Sequence, residues 1–435
     1  MRDLLLVYFG PAGYRREVAL RHGDALRDLG YRLLLANDFI EEEDHALFDE
    51  IVELPPPERV GEAVRALERY AASREVGGVL VQTEAGLLPG ALLAERLGLR
   101  SIGLAAAHAS ANKLLTRQLL ARAGVPQPAF ALVSDAAGVR RFADGEGRGY
   151  PVVLKAVAST MGRLVTRVAR DEDVEDGVRR VAAGLPRSPD VARLLDFGSF
   201  AGLDPGCDPA REFLVESFAP GRPVETDGLV IGREPRTVGV TEQMPSPYGF
   251  YIDGYLLPAD RPPGELAAIR RVSDGAIRAL GLSNSGFSIE MRAQGDSVRA
   301  IEVNARLGED DGFAELFRAA TGGEEPIRLA LELAAGLAPS VLAAAGPRWA
   351  LAYRSNFRAG VVRTVPSTAD LARARASGVK IGLAVWPGAS LQAPGHPEFF
   401  PHLAWALASD PTSSRAAYER AHSALEGVTF GIEAP

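Results

Sequence analysis

Residues 286–308, GFSIEMRAQGDSVRAIEVNARLG, restrict the possible fold more than any other stretch of the chain. Two runs of alternating apolar and polar residues flank Gly295-Asp296, a combination that signals a β-hairpin. Pairing Ile289 with Val303 and Met291 with Ile301 gathers the apolar side chains on one face. The opposite face then carries Glu290 across from Glu302 and Ser288 across from Asn304, with Arg306 two residues further on. A slip of one residue would set the apolar group against the polar one, which a half-buried sheet resists. Directly opposed carboxylates repel, and burying them is worse unless a cation neutralises them. Two acids and an amide carbonyl are hard ligands suited to Mg²⁺, an ion that keeps waters and shares phosphate oxygens. Arg306 adds a planar fork for phosphate or carboxylate. The ordinary alternative is a solvated hairpin face, but acid, acid, amide and guanidinium in one strip weaken it.

The rest of the chain has to supply a setting for that strip. Its 435 residues allow two to four units with substantial cores, and 47% apolar with 24% charged residues describes a globular chain rather than a disordered one. A net charge of −8 argues against a broad nucleic-acid-binding face, leaving room for a local basic pocket. Cys207 is the only cysteine, and the six histidines form no HxxxH or HxH pair, so neither a disulfide nor a zinc site is expected. The N-terminal MRDLLLVYFGPAG is too short in its apolar run for a signal peptide, and no apolar stretch is long enough for a membrane span. A soluble cytoplasmic protein is the expectation.

The first hundred residues alternate strands (4–9, 33–36, 51–54, 79–82) with helices (16–29, 59–72, 89–97), which predicts a parallel sheet with helical crossovers. Ligands would then approach the loops at 10–14 and 83–88. FGPAG lacks the full glycine fingerprint of a dinucleotide site. A helix opens near Ser110 as N-cap and closes at Gly124, and the prolines of GVPQPAF mark a boundary. Residues 126–215 read as a smaller unit: the strand YPVVLKAV, a loop at 159–163, the return strand LVTRVA, a helix at 171–183 and a strand at 212–218. GSFAGLDPGCDP reads as a surface loop within it. Residues 346–435 form a closing α+β piece.

A Glu on one strand followed by Glu302-Val303-Asn304-Ala305-Arg306 on the next resembles the metal-binding signature of the ATP-grasp superfamily. That superfamily includes biotin carboxylase, D-alanine–D-alanine ligase, carnosine synthase and the L-amino-acid ligases. Upstream elements occur in the family's order: Lys113 in SANKLLTRQLL, Lys155 in YPVVLKAV, and a hinge in FLVESF with Glu216, Ser217 and Phe218. Each residue alone has an ordinary surface role; the ordered set carries the resemblance, which spans roughly residues 1–430. It implies three units: a Rossmann-like parallel-sheet domain (1–108), an ATP-grasp domain (109–338) with a lid at about 126–215, and a C-terminal α+β portion (339–435).

The resemblance further implies an ATP-dependent ligase joining a small carboxylate to an amine through an acyl phosphate. Glu290, Glu302 and Asn304 would hold Mg²⁺, two ions with Mn²⁺ as a substitute. Lys113 and Lys155 would meet the phosphates, Glu216–Phe218 the adenine and Glu225 the ribose, while Lys155 and Arg306 act in catalysis. The lid loop departs from the family's glycine-rich pattern. Gly162 is its one glycine, so Ser159, Thr160 and Arg163 would substitute in cradling phosphate. The aromatic segment 244–255 would line the substrate pocket, and a homodimer is the implied assembly. Biotin carboxylation, a non-catalytic ATP sensor and a kinase are the competing readings; a full metal strip exceeds what a sensor needs.

Overall fold

A computed structural model describes all residues except 11–13, 249, 309, 324, 342, 395, 397–398 and 435. The expected loop at 10–14 therefore lies largely outside the described residues. In the first unit, Glu50–Glu53, Tyr31–Asn37, Arg2–Val7 and Val76–Val81 lie side by side in that order as a parallel sheet. Leu4, Leu5, Leu6, Val7 and Leu33–Ala36 are all but completely buried. A near-continuous apolar run is what a parallel strand covered on both faces requires. The expected helix at 89–97 begins earlier, at Glu84, because Thr83 caps it by accepting from the Gly86 N–H. The segment 83–88 is therefore the first turn of a helix rather than a loop.

The helix expected to start at Ser110 divides in two. Leu104–Ala111 ends first, and Asn112 caps a second helix, Lys113–Arg122, by accepting from the Leu114 and Leu115 N–H groups. Ser110 instead donates to the Val303 carbonyl. A small antiparallel sheet follows, in the order Phe130–Val133, Phe213–Ser217, Val152–Ala156, Val165–Val168. Its apolar face packs on helices Ala136–Asp144 and Val174–Gly184 through Val139, Phe142, Leu154 and Val181. The helix Pro189–Ala201 occupies part of the expected surface loop, which begins only after the left-handed Gly202. Sequence reading missed this helix because its composition blends into a Gly- and Pro-rich stretch.

The central element is an eight-stranded sheet among the described residues: Ser297–Asn304, Ser285–Gln294, Arg222–Ile231, Glu234–Pro245, Ile252–Leu257, Arg348–Ser355, His402–Asp410 and Lys380–Leu383. The closing C-terminal piece thus contributes the last three strands of the same sheet. The hairpin forms around Gly295, whose φ of 57° suits the first turn position. Ser288 pairs with Asn304, Ile289 with Val303 and Glu290 with Glu302, as the alternation requires. The expected Met291–Ile301 pair does not form. A β-bulge shifts the register after Glu290, so Met291 faces Ala300 and Ile301 turns toward the cavity.

Behind the hairpin, Ile289, Met291, Val298, Ala300 and Val303 pack on Ile269, Ala276 and Ile277 of the helix Pro263–Leu280. Burying each of the larger aliphatic side chains contributes about 1.5–3 kcal/mol. That fixed apolar face is what commits the acids to the other side. No helix among the described residues is long and apolar enough to cross a membrane.

Candidate functional site

Because successive strand side chains alternate faces, the register of three neighbouring strands lays down two polar rows. Glu302, Glu290 and Glu225 form one; Asn304, Ser288 and Asp227 form the next. Both rows border a cleft to which the first unit, the small antiparallel sheet and the C-terminal strands also contribute. Lys113, Lys155, Thr160, Gly162, Glu216, Ser217, Phe218, Glu225, Glu290, Glu302, Asn304 and Arg306 all line it. Ser159 does not: its side chain is buried, and its carbonyl accepts from Lys113 Nζ at 2.7 Å.

The cations are tied to specific acids. Lys113 Nζ lies 2.5 Å from Glu302 Oε1. Burial disfavours the charge on each, but the pairing prevails, raising the lysine and lowering the carboxyl. Lys155 Nζ is 2.8 Å from Glu216 Oε2, while Arg117 grips the same carboxylate through Nε at 2.7 Å and Nη2 at 3.1 Å. Burial pushes the Glu216 carboxyl up, yet the two cations bring it down to about 2. Burial depresses the Lys155 ammonium, with Glu216 opposing. Removing one member of such a buried group leaves uncompensated charge and costs about 3–5 kcal/mol.

Arg117 was not anticipated. Besides Glu216 it donates to the carbonyls of Ala300 and Ile301 at the bulge, at 3.3 and 2.7 Å. It thus braces the hairpin against the strand Phe213–Ser217. The available signal was its position one helical turn after Lys113, on the same face. Asp227 was missed as well, although Glu225 and Asp227 alternate on one strand. Asp190, on the unanticipated helix, accepts from the Thr160 N–H at 3.1 Å and pairs with Arg163 at 3.1 Å. It anchors the loop 159–163, where backbone at Met161 and Gly162 runs through positive φ.

Glu216 corrects an expectation. Its carboxylate is engaged by Arg117 and Lys155 rather than presented to a ligand. The hinge backbone is partly committed too: the Ser217 N–H donates to the Ala129 carbonyl at 2.9 Å and the Phe218 N–H to the Pro151 carbonyl at 3.3 Å. Glu225, the acid expected at the ribose, is buried. It is 4% exposed, accepts from Gln243 Nε2 at 2.8 Å and adjoins Glu290. Arg306 Nε pairs with Glu84 Oε2 at 3.0 Å, bringing the first unit's helix to the cleft.

Among the described residues, the acids without a direct ion pair stay short of countercharge. Burial, then repulsion from Asp227 and Glu290, drives the Glu225 carboxyl well above its ordinary value. Burial and Glu302 raise Glu290 to about 7. Burial raises Asp227 to about 7, with Ser288 and the Gly308 N–H facing it in poor hydrogen-bond geometry. Among the described residues no three acid, His or Cys side chains converge tightly enough to hold a metal by themselves. Two carboxylates and an amide sharing a dication with phosphate oxygens fit that arrangement, and a dication would supply the missing charge.

A model of the RimK-like ATP-grasp domain matches residues 110–181. Over 320 residues the chain is 28% identical to a D-alanine–D-alanine ligase of Desulforudis audaxviator, covering 70% of this chain and 89% of that protein. Among solved structures it is similar to an L-amino acid ligase from Bacillus licheniformis, with TM-score 0.75 and 18% identity over 99% of this chain and 98% of the other. A biotin carboxylase–β,γ-ATP complex from Campylobacter jejuni gives 0.68 and 15% over 100% and 92%. The chain has the ATP-grasp fold, and its residues 110–181 match the RimK-like ATP-grasp domain.

Proposed function

We propose that this protein is an ATP-dependent carboxylate–amine ligase that forms an amide or peptide bond and releases ADP and phosphate. One observation carries the reading: Glu290, Glu302 and Asn304 share a cleft with Lys113, Lys155 and Arg306, although they come from segments far apart in sequence. The likeness to a D-alanine–D-alanine ligase over most of both chains supports it. We assign residues 1–108 to an N-terminal domain, 109–338 to the ATP-grasp domain with a lid at 126–215, and 339–435 to a C-terminal portion.

In the first step a carboxylate oxygen attacks the γ-phosphorus of ATP and the bond to the β,γ-bridging oxygen breaks, giving an acyl phosphate and ADP. In the second an ammonium loses a proton, its nitrogen attacks the acyl carbon, and the carbon–oxygen bond breaks. The amide nitrogen keeps one proton, hydrogen phosphate takes another, and the third is released. Glu290, Glu302 and Asn304 would hold Mg²⁺, two ions with Mn²⁺ as an alternative, which when bound spread the charge of the transferring phosphoryl group. Lys113 and Lys155 face the phosphates, with Glu216 positioning Lys155. Arg306, oriented by Glu84, faces the reacting carboxylate and phosphoryl oxygens. The lid excludes water, protecting the acyl phosphate from hydrolysis. With two hinge N–H groups engaged, adenine recognition falls to the Ser217 carbonyl and the Ala219 backbone. Glu225 belongs with the acidic centre rather than with the ribose.

Purified protein with ATP, Mg²⁺ and a panel of small acids and amines should release phosphate only when both kinds of substrate are present, with the condensed product seen by mass spectrometry. Equal release with bicarbonate and biotin alone would replace the ligase with a carboxylase. Nucleotide binding without turnover on any pair would favour a sensor.

A further inference from the structure

Beyond the nucleotide end, the same cleft terminates in a wall of Phe250, Tyr251, Tyr255, Phe313, Pro401 and His402. The rings are held by one another. Tyr255 packs edge-on against Phe313 at 4.8 Å, Tyr251 edge-on against Phe399 at 5.2 Å, and His402 lies flat on Tyr353 with centroids 3.7 Å apart. Phe250 lies against Gly162 of the lid loop, so this end adjoins the site of phosphoryl transfer.

Two polar groups interrupt the wall. Asp310 receives the Tyr255 hydroxyl and pairs with no lysine or arginine among the described residues. His402 is 4% exposed, and its Nε2 lies 3.2 Å from the Ile252 carbonyl. A carbonyl only accepts, so Nε2 carries the proton and Nδ1 keeps its lone pair. Burial lowers the His402 basicity, which keeps the ring neutral. That Nδ1 is buried without a hydrogen-bond partner among the described residues. An aromatic wall with one carboxylate and one bare nitrogen is a receptor for N–H donors on an apolar body. The cations lining the cleft are Lys113, Lys155, Arg292 and Arg306, of which Lys113 pairs with Glu302, Lys155 with Glu216 and Arg306 with Glu84. Arg354 and Arg358 line a separate pocket.

We infer that this end binds the amine substrate, that Asp310 and His402 receive its N–H groups, and that the preferred amine has an aromatic or large apolar body and no carboxylate of its own. The inference rests on the ligase reading. A carboxylate beside Asp310, whose own charge has no lysine or arginine partner among the described residues, would be repelled and desolvated.

The probes are 2-phenylethylamine and L-phenylalanine, which differ by one carboxylate, titrated calorimetrically into the full-length protein saturated with Mg²⁺ and the non-hydrolysable ATP analogue AMPPNP. 2-Phenylethylamine should bind at least about tenfold tighter than L-phenylalanine. Asp310→Asn should weaken it by about tenfold or more, while AMPPNP affinity stays within about twofold. Tyr255→Phe, which keeps the ring and removes the hydroxyl, should change amine affinity by a smaller factor and serves where Asp310→Asn does not fold. Failure to bind AMPPNP would overturn the ligase reading and this inference together. AMPPNP binding with equal affinity for the two probes, with no amine binding, or with no effect of either variant would overturn the inference alone.

Discussion

At one edge of the central sheet, three adjacent strands present Glu302, Glu290 and Glu225 in a row; toward the other, Tyr255, Tyr353 and His402 come together. The acidic edge depends on local pairing. A hairpin sets the register of Glu290 and Glu302 within two dozen residues, and its apolar face packs chiefly on the helix Pro263–Leu280. The aromatic edge depends on strands separated by up to 150 residues, with Ile252 meeting His402 across that gap. On the proposed reading, chemistry common to many substrates sits at the first edge, and discrimination between substrates at the second. Function-bearing charge can be encoded locally, whereas a shaped apolar receptor has to be assembled from distant segments.

The contrast can be broken most sharply at the acidic edge. Glu302→Ala should lower kcat by about a thousandfold or more, since it removes a proposed metal ligand and frees Lys113 from its partner. ADP release would measure this, with circular dichroism showing an intact fold; near-normal turnover would remove the metal assignment. Lys155→Ala should come next, weakening nucleotide binding by about 10–100-fold, as read by calorimetry with AMPPNP. Unchanged affinity would reject the placement of the lid lysine.

At the aromatic edge a smaller and selective effect is expected. His402→Phe preserves a flat ring on Tyr353 but removes Nδ1, and should raise KM for the amine by about 3–10-fold with nucleotide KM unchanged. Steady-state kinetics with each substrate varied would separate the two, and a parallel rise in both would erase the proposed division.

The smallest effect lies outside the cleft. Glu315 pairs with Arg21 of the first unit at 2.7 Å and Lys380 at the sheet's last strand at 2.8 Å. Burial alone would raise its carboxyl, but Lys380, Arg21 and Arg318 bring it to about 2. A carboxyl depressed in the folded state stabilises above its unfolded pKa, and that contribution fades as pH falls toward the folded value. Glu315→Gln should therefore cost about 1–2 kcal/mol at neutral pH, allowing for its half-exposed partners, and should flatten the loss of stability between about pH 5 and pH 2. Urea unfolding at a series of pH values measures both.

Much of the acidic edge was legible because alternation, turn residues and the opposition of Glu290 and Glu302 are all local. The bulge after Glu290 was not, since alternation cannot reveal an inserted residue that Arg117 secures from another helix. Glu216 was found at its position but not in its setting: its commitment to Arg117 and Lys155 depends on three elements meeting. Asp190 fell in residues 184–197, to which the sequence pattern assigned no element. Asp310 and His402 carried no motif.

Local pattern along the chain sets the order of lysines, hinge and acids, the hairpin's polarity and the parallel first sheet, because backbone periodicity and burial act over short spans of chain. Tertiary structure alone decided which carboxylates are satisfied by cations and which remain short of charge, and that aromatic rings close the cleft. Those outcomes depend on distances between residues far apart in the chain, and electrostatic and packing energies change steeply with such distances.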